Sequence, residues 1–149
     1  MDKDVFVRLK GLQIDERDES AEIEIVAPGF YCERGGKKMV VYEEVVEGME
    51  KKIKNVIKIT PEYLEVTKRG LTNTHMMFEL DKKNVSVYST PFGEMTVGIL
   101  AKDIALTEAD HSLSVKVEYE LDMNYEHLAD CTINIGVESR SRSDFRLTQ

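Results

Sequence analysis

Three histidines, two cysteines and one adjacent pair of glutamates are the first residues to test for chemistry in this 149-residue chain. A metal centre needs three or four ligands converging at about 2 Å. His75, His111 and His127 stand singly in different segments, and none forms a pair at ligand spacing. Cys32 and Cys131 lie far apart with no CxxC pair, so nothing in their spacing requires a bridge. The chain also lacks the GxxxxGK[ST] phosphate loop, GxGxxG, HExxH and GxSxG. These absences predict no metal, no cofactor and no catalytic centre of a common type.

The segment MVVYEEVV, residues 39–46, is more informative. As a strand it carries Val40, Tyr42, Glu44 and Val46 on one face, and Met39, Val41, Glu43 and Val45 on the other. Whichever face turns inward places a carboxylate among apolar side chains, where it needs a partner or water. Arg69, closing the segment LEVTKRG, is the expected partner, because a guanidinium meets a carboxylate with two hydrogen bonds. Tyr42 and Tyr88 add ring area with a hydroxyl that seeks a partner. Met77, Phe78, Tyr119 and Leu121 are candidates for an apolar wall or for a filled core.

Alternation must position these groups. In HSLSVKVEYEL, Leu113, Val115, Val117, Tyr119 and Leu121 share one face, while Ser114, Lys116, Glu118 and Glu120 share the other. Ala21, Ile23 and Ile25 alternate with glutamates, as do Val5, Val7 and Leu9 with polar residues until Gly11 shifts the phase to Leu12 and Ile14. A β-bulge at Gly11 would produce that shift. Turn residues recur at Pro28-Gly29, Gly35-Gly36, Gly48, Thr60-Pro61, Arg69-Gly70, Asp81 to Asn84 and Pro91-Phe92-Gly93. The expectation is about ten strands, near 5–14, 19–33, 37–47, 52–59, 62–68, 74–80, 84–89, 92–100, 111–122 and 130–138. VVEGMEKKIKNVI fits a helical period as well as a hairpin turning at Gly48. The β-branched run from Ile53 to Ile59 favours the hairpin. A short helix is expected at 102–110. Connections this short favour antiparallel neighbours, which predicts an all-β, up-and-down barrel over 1–138 with a polar tail at 139–149.

Composition limits the partners. Lys plus Arg number 20 against 28 Asp plus Glu, for a net charge of -8 and a pI near 5.0. That balance argues against nucleic acid and anionic membranes, both of which demand clustered positive charge. No run approaches the roughly 18 apolar residues of a membrane helix. The N-terminus has no apolar signal region, and the cysteine usage suits a reducing compartment, so a cytoplasmic location is expected. In the tail, Arg140, Arg142 and Arg146 interleave with serines, as a solvated chain end does.

Several segments together resemble the YwiB-like family of uncharacterised bacterial proteins. They are APGFY at 27–31, VYEE at 41–44, Lys58-Ile59, KRG at 68–70, MMF at 76–78, VYSTPFG at 87–93 and VEYEL at 117–121. The resemblance implies a closed, calycin-like barrel similar to lipocalins of about eight to ten strands. It places Tyr42, Glu44, Arg69, Gly70, Tyr88, Thr90, Pro91 and Gly93 at family motif positions and supplies no catalytic residue. The leading expectation is therefore a non-enzymatic barrel that binds a small amphipathic or anionic ligand in its interior. Its site would be Tyr42, Glu44, Arg69, Met77, Tyr88 and Tyr119. The alternative is an interaction or scaffold barrel with a filled core that docks a protein partner. An enzyme using Glu44 as general base ranks last, since no motif couples Glu44 to a nucleophile or metal.

Overall fold

A computed structural model describes residues 3–11, 24–45, 52–70, 74–90 and 93–140. The chain runs through ten strands: β1 Lys3–Lys10, β2 Glu24–Arg34, β3 Lys37–Val45, β4 Lys52–Ile59, β5 Tyr63–Arg69, β6 Thr74–Glu79, β7 Lys83–Thr90, β8 Gly93–Glu108, β9 Ser112–Met123 and β10 Glu126–Ser139. They form one sheet in the order β6-β5-β4-β3-β2-β1-β10-β9-β8-β7, every ladder antiparallel. Every pair of consecutive strands is paired in the sheet except β6 and β7, which lie at its two ends, and the β1–β10 ladder joins the two halves of the meander. This is the nearly closed up-and-down barrel that the alternation predicts.

Closure does not come from a ladder between β6 and β7. Leu80 bridges Ala101 of β8 in parallel, and the Asp81 amide donates to the Ala101 carbonyl at 3.0 Å. Asp81 adopts a positive φ of 60° to make that turn. Beneath the seam, Phe78 of β6 meets Tyr119 of β9 edge to face, with ring centroids 4.9 Å apart.

The inward row of each strand follows the expected alternation. Val5, Val7 and Leu9 of β1, Ile57 and Ile59 of β4, Leu64 and Val66 of β5, and Ile133 and Ile135 of β10 are all buried. These side chains are almost wholly shielded from water, so the described inward residues pack against one another at the centre of the barrel.

Two expectations about elements change. Residues 102–108 continue β8 instead of forming a helix. A register shift between Ala101 and Asp103 moves the apolar phase, so that Ile104 and Leu106 pack against the core. The shifted phase imitates a helical period in the sequence, and a β-bulge explains it. β10 also begins earlier than expected, at Glu126, with a second shift between His127 and Ala129. Leu12, Ile14, Ala21, Ile23 and Gly48 lie outside the described residues, as does the chain beyond Arg140. Arg140 itself sits with its guanidinium 5.5 Å from the Phe6 ring centroid, a cation–π contact on the outer face.

Because Phe78 fills the space under the seam, truncation there leaves a cavity. Phe78→Ala is expected to lower stability by about 3–5 kcal/mol. Urea denaturation followed by circular dichroism measures this, and a loss below about 1 kcal/mol would show that the seam does not depend on the ring.

Candidate functional site

The register aligns polar residues at one end of the barrel interior. Across β2 to β6 one row reads Gly29, Tyr42, Asn55, Lys68 and Thr74, each residue directly opposite the next. The row beneath it reads Tyr31, Val40, Ile57, Val66 and Met76, all buried. Glu44 lies one inward position beyond Tyr42 on β3, opposite Ile53. The polar residues therefore cap an apolar core at the end where β3 leaves the sheet.

Their contacts form a small network. Asn55, fully buried, donates from Nδ2 to Glu44 Oε1 at 2.8 Å and to the Ile53 carbonyl at 3.4 Å. Lys68 Nζ donates to the same Glu44 oxygen at 3.3 Å, with both side chains about a quarter exposed. Such a pair contributes of the order of 1 kcal/mol or less, since water screens it.

Two atoms of the network stay unsatisfied. The Tyr42 hydroxyl and Asn55 Oδ1 are both buried without a hydrogen-bond partner among the described residues. Burial, and secondarily the Glu44 carboxylate, push the Tyr42 phenol well above its ordinary value of 10.0. It is therefore a protonated donor at any physiological pH.

Glycines make room for this arrangement. A Cβ at Gly29 would lie 2.7 Å from the Val41 carbonyl and 3.2 Å from Tyr42 Cβ, so only glycine lets the Tyr42 strand approach. Gly70 has φ of 135°, and a Cβ there would lie 2.5 Å from the Lys52 carbonyl. The turn after Lys68 thus closes directly on the start of β4. Three segments that carry the family resemblance, APGFY, VYEE and KRG, meet here through Gly29, Tyr42, Glu44, Lys68 and Gly70.

The sequence-predicted residues divide accordingly. Tyr42 and Glu44 are inward and together, as expected of one face of β3. Arg69 is not the partner of Glu44: it is exposed on the outward face, opposite Lys54. Lys68, one residue earlier, shares the inward parity of Leu64 and Val66 and makes the ion pair. Met77 likewise points outward, because Met76 and Phe78 are the buried residues of β6. Tyr119 is buried against Phe78 on the other side of the barrel. Cys131 stands directly opposite it on β10, and burial raises the pKa of that thiol. Tyr88 falls in β7 opposite Met95, and its side chain lies outside the described set, as do Thr90's side chain, Pro91 and Phe92.

A residue-by-residue parity check would have found Asn55 and Lys68. Asn55 occupies the apolar parity of Ile53, Ile57 and Ile59, and Lys68 that of Leu64 and Val66. A second polar group on the outer face could not have been found that way. The β8 and β10 bulges flank an open groove of about 790 Å³ holding Lys83, Lys102, Glu120, Asp122, His127 and Asp130. Ligand atoms of Glu120, His127 and Asp130 lie within 4.8 Å of one another. Yet Lys102 Nζ binds Glu120 at 2.9 Å and holds its carboxyl below the usual range, while Lys83 binds Asp122. Cation charge is already supplied there by two lysines. Cys32 and Cys131 are both free thiols.

The sequence matches the family described as Domain of unknown function (DUF1934) over residues 7–135. The chain belongs to the DUF1934 family. The DUF1934 barrel is similar to the crystal structure of the YwiB protein from Bacillus subtilis, with a TM-score of 0.73 and 20% identity. That alignment covers 93% of this chain and 92% of the other. At this identity the likeness speaks for the fold alone, a nearly closed antiparallel barrel. No curated protein sequence matches the chain.

An orphaned hydroxyl gives a direct stability test. Tyr42→Phe removes a buried donor that no described residue satisfies, so it is expected to stabilise the free protein by about 1 kcal/mol. The raised phenol contributes stability that is complete below pH 10.0 and falls as pH rises above it, because only the unfolded chain then loses the proton. Urea midpoints between about pH 9 and 12 should therefore fall less steeply in the variant, and equal slopes would count against a buried, protonated Tyr42.

Proposed function

We propose that this DUF1934 barrel is a non-catalytic binding protein whose site is the Tyr42–Asn55–Lys68–Glu44 end of the barrel. The observation that carries this reading is the presence, on directly opposed residues, of two buried polar atoms with no partner among the described residues. Each costs about 1–3 kcal/mol while unsatisfied, and a ligand that supplies partners recovers that cost on binding. Because the described inward residues pack the centre, the ligand is assigned to this end instead of the deep interior. Lys68 takes the cationic role expected of Arg69, and the apolar row of Val40, Ile57 and Val66 forms the floor. An amphipathic ligand suits a polar rim above an apolar floor.

Among the described residues nothing at this end couples Glu44 to a nucleophile. Its contacts with Asn55 and Lys68 hold it as an acceptor and a counter-ion. That supports binding over acid–base chemistry. A second reading keeps the barrel as an interaction module, favoured by Val26 and Phe30, which stand 55% and 42% exposed on the outer face of β2. A reducing, cytoplasmic setting belongs to either reading.

Native mass spectrometry of freshly purified protein, followed by a thermal-shift screen of metabolites, separates them. The binding reading expects a non-covalent mass or a stabilising metabolite that is lost in Lys68→Ala. At one hundred times Kd such a ligand stabilises by about 2.7 kcal/mol. A bare mass with no shift across the library, together with self-association abolished by Phe30→Ser, would hand the function to the outer face.

A further inference from the structure

The two atoms without partners among the described residues also specify the head group of the ligand, an inference that rests on the end-of-barrel reading above. Asn55 cannot turn its amide over. Nδ2 faces two acceptors, Glu44 Oε1 at 2.8 Å and the Ile53 carbonyl at 3.4 Å, and exchanging N for O would set oxygen against oxygen at both. The atom left over is therefore Oδ1, which only accepts. Tyr42, opposite it, retains its proton and donates.

Charge narrows the choice further. Glu44 and Lys68 already neutralise one another at 3.3 Å. A carboxylate brought to this end would find no uncommitted cation in the network. It would offer Asn55 Oδ1 no donor and would face the Glu44 carboxylate. A neutral group leaves the ion pair intact.

We propose that the site recognises a neutral edge bearing an N–H donor beside a carbonyl acceptor, as in a lactam, a primary amide or a pyrimidinedione ring. The N–H donates to Asn55 Oδ1 and the carbonyl accepts from the Tyr42 hydroxyl. Both buried atoms are then satisfied by one planar group, and no proton or charge moves. Sites of this kind discriminate strongly, because an analogue lacking the donor leaves the protein acceptor buried and unpaired. Of the amphipathic or anionic ligands expected from the sequence, the anionic kind is disfavoured by the same logic.

Three small probes of similar size decide the matter on the full chain: 2-pyrrolidinone, N-methyl-2-pyrrolidinone and acetate. Each is titrated to millimolar concentration while the Asn55 side-chain amide and the backbone amides of residues 42, 44, 55 and 68 are followed by nitrogen-15 NMR. The expected result is saturable shifts with 2-pyrrolidinone, at least about tenfold weaker binding of the N-methyl compound, and a comparable loss in Tyr42→Phe. Acetate is expected to leave these signals unmoved. Saturable binding of acetate at these residues, or equal binding of both lactams, overturns the head-group assignment while the end-of-barrel site survives. Silence from all three probes at residues 42, 44, 55 and 68 overturns both. Since Tyr42→Phe keeps the ring and is expected to fold at least as stably, its binding loss cannot be attributed to unfolding.

Discussion

The interior depends on how the sheet is closed. Ten antiparallel strands form a continuous ladder from β6 to β7, but those two terminal strands do not pair with each other. The sheet is held round by the Leu80–Ala101 bridge, the Asp81 amide on the Ala101 carbonyl, and Phe78 packed edge to face on Tyr119. Without that seam the inward rows of β4 to β6 would face water instead of those of β8 to β10. The bulge after Ala101 belongs to the same device, since it lets β8 turn away from β7 while Ile104 and Leu106 keep contact with the core.

A filled centre and a polar end follow from this construction. Side chains from opposite walls meet in the middle, leaving the two ends as the places where polar groups can enter the interior. At the end opposite the Tyr42 row, Lys38 pairs with Glu108 at 2.6 Å and with Glu33 at 3.7 Å, and the Tyr31 hydroxyl donates to Glu33 at 3.3 Å. At that end Lys38, Glu33, Glu108 and Tyr31 have partners in one another, and the Glu108 contact raises the Lys38 pKa. The Tyr42 end differs in retaining a donor and an acceptor without partners among the described residues. The contrast between two ends of one barrel, built from the same kinds of residue, is the reason for assigning function to one of them.

Much of the fold was legible because a strand alternates with a period of two. The inward rows of β9, β4 and β3 are the residues that the alternation groups together, and the hairpin between β3 and β4 follows from the β-branched face of Ile53, Ile57 and Ile59. The bulges were harder to see. A single extra residue near Lys102 shifts the apolar phase and gives KDIALTEAD a helical look, although its backbone stays in the ladder. The candidate site suffered from the same sensitivity. Moving one residue along β5 exchanges an exposed arginine for an inward lysine, so the choice between Arg69 and Lys68 rests wholly on parity.

The sequence by itself determined the strands, their antiparallel order and the segments around Gly29, Tyr42, Glu44 and Gly70. These are properties of local pattern and of short connections. Only the tertiary structure decided that Asn55 and Lys68 stand beside Tyr42, that Met77 faces outward, and that His127 approaches Glu120 and Asp130 across a second bulge. Alternation says which residues share a face. Which face turns inward, and which strands lie opposite, is settled by pairing registers and closure, through contacts between residues far apart in the chain.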